Sequence, residues 1–352
     1  MTNNSLSDRV ILEFQEKYKD CREDISAVIF TPDNHLWLGT DETKTLECLS
    51  GTEANTFAAH QRFPIADFID LPNKSDIEID IEGMDYADNY LWLVGSHSLK
   101  RKNVKSDKTD LENIERLATV EAEENRYLLA RIPLVKGKLE RECNHPEDAS
   151  KKLTAARLKK GNNGSLLSEA LAKDSHLGSF LNAKIPGKDN GFDIEGIAVY
   201  QNRIFLGLRG PVLRGWAIIL EIEIEEVNST RFKLKQKAGQ LYKKHFVYLS
   251  GLGVRDLCWD GGDLLILAGP TMFLDGPVKV FRLNDALNLP ETTLSRPTPV
   301  IDIPYGNEED HAEGMTFFTY EGKRALLVVY DSPAKLTRLT AENGVFADIF
   351  QF

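Results

Sequence analysis

An all-β fold built from a repeated unit is what this chain predicts, and three observations carry that prediction. The first is a recurring phrase: DIEGMDYADNYLWLVG at 80–95 and DIEGIAVYQNRIFLG at 193–207 share a carboxylate, a glycine, an apolar alternation, a turn and a second apolar run. HAEGMTFFTYEGKRALLVVY at 311–330 is a third copy, and GVRDLCWDGGDLLILAG at 253–269 and DISAVIFTPDNHLWLG at 24–39 are two divergent ones. The second is that each copy decodes as a hairpin. Two runs rich in Val, Ile, Leu and aromatics flank Asp33-Asn34, Asp88-Asn89, Gln201-Asn202, Asp260-Gly261-Gly262 or Glu321-Gly322. The third is even spacing: Ser26, Glu82, Glu195, Arg255 and Glu313 fall at one equivalent position, at intervals of 56, 113, 60 and 58 residues, the 113 being two periods. Four-stranded units repeating at roughly 40 to 60 residues are the signature of a β-propeller, whose blades bury their faces against their neighbours. The reading is a propeller of five or six blades.

Taken in order, Arg9 to Phe14 and Val345 to Phe352 both look like strands, and pairing them in one blade would close the ring and remove two exposed edges. The first strand of each unit lines the central channel, and outer strands follow in runs such as Tyr127 to Leu134, Ile218 to Ile224 and Val278 to Leu283. Residues 100–125 are a highly charged insertion with a helix expected from Leu111 to Glu124, read as a solvated flap. The double-length interval is filled by a helical insertion over 149–182. There ASKKLTAARLKK (149–160) and SLLSEALAKDSHLGSFLN (165–182) have helical spacing, with Leu166, Ala170, Leu177 and Leu181 on one stripe and Gly161 to Gly164 as the break. The expectation is one domain over 1–352, the second insertion standing in for a degenerate blade or simply interrupting the ring.

Composition narrows the function. With 42% hydrophobic and 28% charged residues, the chain has the composition of a globular protein with a large core. Lys plus Arg number 43 against 54 Asp plus Glu, and a net charge of −11 repels a polyphosphate, so no nucleic-acid partner is expected. The opening MTNNSLSDRV has no apolar stretch, and the longest apolar runs fall far short of the roughly 18 residues a spanning helix needs, so no membrane partner is expected either. Cys21, Cys48, Cys143 and Cys258 form no CxxC pair, which fits reduced thiols and a cytoplasmic setting. No GxSxG elbow, HExxH, P-loop or GxGxxG is present.

Strand polarity selects a site. In an antiparallel hairpin the start of the first strand lies beside the end of the second, so Ser26, Glu82, Glu195, Arg255 and Glu313 share one mouth of the channel with Thr40-Asp41, Ser96-His97, Arg209, Pro270-Thr271 and Asp331-Ser332. Three glutamates converging there raise one another's pKa and need neutralising. One solution is a hard divalent cation such as Ca²⁺ held by Glu82, Glu195 and Glu313; the other is pairing with Arg209 and Arg255, with no metal. The segment GSHSLKRKN (95–103) and the turn GLRGPVLRGW (207–216) add a basic rim, which suits a small anionic molecule. In that reading His97 is the acid or base, with Arg209 and Arg255 beside it, and Ser96, Ser98, Lys100, Arg101, Arg214 and Thr271 bind substrate. The function expected is a metal-assisted hydrolase of a phosphoester or other anionic ester. The alternative is a propeller that binds a ligand or protein without catalysis, its Glu and Arg ring purely structural.

The phrases DIEGMDYADNYLWLVGSHSLKRK, PGKDNGFDIEGIAVYQNRIFLGLRGPVLRGWA, GLGVRDLCWDGGDLLILAGPTM and HAEGMTF resemble a bacterial group known only as domain of unknown function family 3616, over most of the chain. More distantly, the repeated Glu-Gly at strand starts is similar to phytase-like esterase propellers and to calcium-dependent lactonase and arylesterase propellers. That resemblance implies Ca²⁺ ligation by Glu82, Glu195 or Glu313.

Overall fold

The computed structural model describes residues 6–52, 55–73, 77–162, 164–272, 274–291, 293–306 and 309–351. Among them the strands group into five antiparallel blades around a channel. Blade 1 runs outward through Ile25–Thr31, His35–Thr40, Thr45–Gly51 and Thr56–Pro64. Blade 2 comprises Ile81–Ala87, Tyr90–Gly95, Leu129–Val135 and the short Ala156–Leu158. Blade 3 comprises Asp193–Tyr200, Arg203–Gly210, Trp216–Asn228 and Tyr242–Tyr248. Blade 4 holds Gly253–Asp260, Asp263–Gly269, Val278–Leu283 and Thr298–Ile303. Blade 5 holds His311–Tyr320, Lys323–Asp331 and Gly344–Gln351, and its fourth strand is Leu6–Glu13 from the other end of the chain. The expected closure is therefore present, and the unit count is five; Phe352, the last residue of the expected strand, lies outside the described residues.

The hairpin turns form where the sequence placed them, because their residues tolerate a left-handed backbone. Asn34 has φ 62°, Asp88 and Asn89 have 52° and 62°, and Gly261 has 63°. Both faces of the inner strands are buried, so alternate residues feed different interfaces. Leu264, Ile266 and Ala268 pack toward blade 3, while Leu265 and Leu267 pack toward blade 5. Five apolar clusters result, one per blade junction, and each of the five inner strands lies against the two beside it.

Blade 5 is clamped by a buried arginine. Arg338 donates to both carboxylate oxygens of Asp348 at 2.9 Å and to Asp310 at 2.6 Å, Tyr330 donates to Asp348 at 2.7 Å, and Arg9 reaches Asp348 at 3.0 Å. A bidentate, fully hydrogen-bonded pair is the form in which a buried ion pair meets its desolvation cost.

The two insertions depart from the repeat. In 100–125 the helix runs over Asp110–Ala118, started by a capping box between Thr109 and Glu112, and leaves Leu111, Ile114 and Leu117 exposed. It stops well short of Glu124, where a single 3₁₀ turn begins. In 149–182, helices form at Leu166–Leu171 and Gly178–Asn182, and Leu177 is fully buried as its stripe requires. Residues 149–160 are not helical. Asp148–Thr154 pairs with Glu142–His145, and Ala156–Leu158 supplies the outer strand of blade 2. Good helix formers are overridden there because an open blade edge offers a backbone ladder and a place for Leu153, Ala156 and Leu158 in the core between blades 2 and 3. The double-length interval is thus an interruption of the ring.

Candidate functional site at the channel mouth

The five equivalent positions have a shared backbone cause. Every inner strand slips register against its partner at that residue: Ile25/Ala27 around Ser26, Ile81/Gly83 around Glu82, Ile194/Ile197 around Glu195, Val254/Asp256 around Arg255 and Ala312/Gly314 around Glu313. A bulge leaves one residue out of the ladder and re-aims its side chain. The glycine that follows in the Glu-Gly phrase has its own reason. A Cβ on Gly83 would stand 2.9 Å from Gly196 Cα, and one on Gly196, where φ is 95°, would stand 2.7 Å from Asp256 Cα. Inner strands approach so closely at the axis that no side chain fits.

Cations fill much of this ring. Arg209 donates to Glu195 at 2.6 Å, and Arg255 bridges Glu313 at 2.6 Å and Glu195 at 3.3 Å while also donating to the Pro270 carbonyl. Arg126 pairs with Asp80 at 2.6 Å and donates to Ser98 at 3.0 Å. The acids still outweigh the bases. Burial, reinforced by Asp331 and opposed by Arg255, pushes the Glu313 carboxyl up to about 8. Burial and the neighbouring Glu195 push Asp193 up to about 7. Glu82 has no donor or cation within bonding distance among the described residues, and burial with Asp80 beside it holds its carboxyl well above the usual range.

Along one arc of the mouth the arrangement changes. Asp24, Asp41 and Asp331 each offer a carboxylate oxygen, and these oxygens lie within 4.8 Å of one another; no other set of three metal-ligating side chains does so among the described residues, the three glutamates included. The aspartates form no ion pair among the described residues, and Asp41 Oδ1 is buried without a hydrogen-bond partner. Burial and Asp331 push Asp24 up to about 6, and burial followed by Asp331 raises Asp41 well above its usual value. Asp331 also lines a small cavity of about 40 Å³ shared with Lys188, Arg209, Arg255, His311 and Glu313. Withdrawal from water keeps His311 below its ordinary value, against the pull of Asp331.

The structure therefore brings together Glu82, Glu195, Glu313, Arg209 and Arg255, with Ser96 and Ser98 beside Asp80 and Arg126. Thr271 follows Pro270, whose carbonyl holds Arg255, and is half-buried. Lys100 pairs with Glu78, and Arg101 pairs with Asp189 at 2.7 Å, so both cations are engaged. Arg214 is exposed in its turn, with no polar contact to the ring among the described residues. His97 does not join the ring: with φ 54° its side chain turns the other way, packs edge-on against Tyr127 and faces a lateral cavity.

Sequence reasoning missed Asp24, Asp80, Asp193, His311, Arg126 and Lys188. Four of them had a signal. Two residues before the bulge, the aligned units read Asp24, Asp80, Asp193, Gly253 and His311, so the first letter of DIEG is a mouth position as much as its third. Arg126 and Lys188 come from insertions, where no repeat points to them.

No curated protein matches this sequence. Among solved structures, the chain is similar to one described as a putative gluconolactonase, at 10% identity over 93% of this chain and 75% of that one, with a TM-score of 0.40. It is similar to virginiamycin B lyase from Staphylococcus aureus at 10% identity, over 98% and 100% of the two chains and a TM-score of 0.35. A mutant of Trypanosoma rangeli sialidase aligns at 14% identity over 92% and 48%, with a TM-score of 0.34. Residues 24–348 take in all five inner strands and every charged group of the mouth, and they match the profile of the family described as a protein of unknown function, DUF3616, to which this chain belongs.

Proposed function

We propose that the channel mouth is the active site of a metal-assisted hydrolase acting on a phosphoester or another small anionic ester, in the cytoplasm. The observation that carries the reading is the aspartate trio, three oxygen ligands gathered within 4.8 Å beside a cation-lined cavity. The donor set suits a hard divalent cation such as Ca²⁺: all its ligands are carboxylate oxygens, and the buried Asp41 Oδ1 has no hydrogen-bond partner among the described residues. Asp24, Asp41 and Asp331 would hold it, and a bound cation would polarise the ester oxygen. Lys188, exposed at the rim, meets the substrate's negative charge. Arg209 and Arg255 hold Glu195 and Glu313 in place and supply a positive wall. His311, held neutral by burial, takes the proton of the attacking water. Free thiols at Cys21, Cys48, Cys143 and Cys258 support the cytoplasmic setting.

Phosphoester and carboxylester panels run with and without Ca²⁺, on the native protein and on Asp41→Asn, test this. Turnover that needs Ca²⁺ and disappears in the variant is expected, whereas silence under every condition overturns catalysis. One observation favours the non-catalytic reading: Glu195 and Glu313 are already paired, and the cavity beside them holds little more than a water. Calcium binding by calorimetry without turnover on any panel member would select it.

A further inference from the structure

A second cavity, of about 910 Å³, opens between the two insertions and shares no lining residue with the mouth cavity. Its size falls within the range of small-molecule sites. The charged insertion supplies Val120 to Ala122 and Glu124, the helical insertion supplies Phe180 and Leu181, and the ring contributes Arg157 from the outer strand of blade 2. Tyr127, Phe180 and Phe192 make much of the wall apolar.

Two buried polar groups on that wall lack partners of the kind they require. His97, 2% exposed, directs Nδ1 to the Gly95 carbonyl at 3.0 Å, and because a carbonyl only accepts, Nδ1 carries the proton. In the neutral ring Nε2 is then a bare acceptor, and it is buried with no hydrogen-bond partner among the described residues. Burial also pulls the imidazole down to about 4, which keeps it in that form at neutral pH. Arg157, 7% exposed, donates to the carbonyls of Asp70 and Leu158, yet forms no ion pair with a carboxylate among the described residues. The acids on the same wall are already engaged: Glu121 with Lys102, Glu124 with Lys160, and Glu169 with the Asn162 amide. A buried guanidinium in no ion pair, on the wall of the same cavity as a buried acceptor with no donor among the described residues, is a costly arrangement for a fold to maintain.

We propose that this lateral cavity binds a small organic acid with an apolar body and an O–H or N–H group, its carboxylate on Arg157 and its donor on His97 Nε2. The planar guanidinium fork matches a carboxylate, and the aromatic wall takes the body. The proposal is independent of chemistry at the mouth.

The test uses the whole protein and three probes, 3-phenyllactate, 4-hydroxyphenylacetate and phenylalanine, with 3-phenylpropionate and 2-phenylethanol as controls that lack the donor or the carboxylate. Saturable binding of at least one probe is expected by calorimetry, weakened at least tenfold in the matching control, together with a shift of the His97 Nε2 resonance in ¹⁵N spectra. Arg157→Gln should abolish that binding while leaving the calcium response of the mouth unchanged. If Arg157→Gln fails to fold, Ala172→Trp at the cavity wall replaces it and should block entry. Absence of binding by all three probes, binding indifferent to the loss of donor and carboxylate, or a crystal soaked with the probes showing only water on Nε2 would each overturn the proposal.

Discussion

Two arcs of the same channel mouth solve one electrostatic problem in opposite ways. Across blades 3, 4 and 5, Glu195, Arg209, Arg255 and Glu313 neutralise one another at 2.6 to 3.3 Å. Across blades 1 and 5, Asp24, Asp41 and Asp331 crowd together with no cation in an ion pair among the described residues, and burial and mutual repulsion raise Asp24 and Asp41. The difference comes from single positions. Where the second strand of blade 3 carries Arg209 one residue before its end, that of blade 1 runs into Asp41, and where blade 4 bulges at Arg255, blade 1 bulges at Ser26, which donates to the Ile81 carbonyl at 2.5 Å. A repeated backbone thus creates equivalent places, and the residue at each decides whether charge is cancelled internally or left for a ligand.

The largest loss of stability is expected on the paired arc. Arg255→Ala leaves Glu195 and Glu313 facing each other in a buried site and should cost about 3–5 kcal/mol by urea denaturation. Adding Glu313→Gln to it should recover part of that loss, since the second change removes one of the two facing carboxyls.

On the aspartate arc the expected effect is a lost response. Ca²⁺ at about 100 times its Kd should stabilise the native protein by about 2.7 kcal/mol, and Asp331→Asn should remove that gain in thermal melts. The same arc sets a pH dependence. Asp24 stands at about 6 in the fold against 3.8 for the free side chain, so the folded state holds the extra proton. Its stabilising contribution is complete below about pH 3.8 and is lost as pH rises through 6. Melts in chelator should therefore decline between about pH 4 and 6, and the Ca²⁺ gain should grow as pH rises through 6 and the cation replaces the proton.

The smallest effect sharpens the contrast within one motif. Glu82→Gln should change stability by less than about 0.5 kcal/mol, since burial and the neighbouring Asp80 already disfavour the charged carboxylate, which has no cation partner among the described residues. Glu195→Gln, at the equivalent place, breaks contacts to two arginines and should cost several times more in the same denaturation assay.

Much of the architecture was legible because the repeat encodes a backbone event. Ser26, Glu82, Glu195, Arg255 and Glu313 align in sequence for the same reason that they bulge in space. Legibility failed where local preference and tertiary demand diverge. Residues 149–160 carry helix formers, yet an unfinished blade edge draws Ala156–Leu158 into its ladder. Ser96, His97 and Ser98 read as one polar run, but a single left-handed φ at His97 separates its side chain from its neighbours. Histidine visits that conformation more often than most residues, though nothing in the sequence marks this one. Of the aspartate trio, Asp41 and Asp331 were legible as ends of second strands, whereas Asp24 stands two places before the bulge, outside the position that the repeated glutamate marks.

The strand Leu6–Glu13 has a consequence for how the molecule is made. It pairs with Gly344–Gln351, so its ladder with that strand exists only once a segment far along the sequence is in place. Blades 1 to 4 can assemble in order of synthesis, but an apolar strand containing Val10 and Leu12 stays unpaired on its inner side throughout. Docking of the two strands therefore encloses all the other blades, and the slow step of folding should be this long-range meeting.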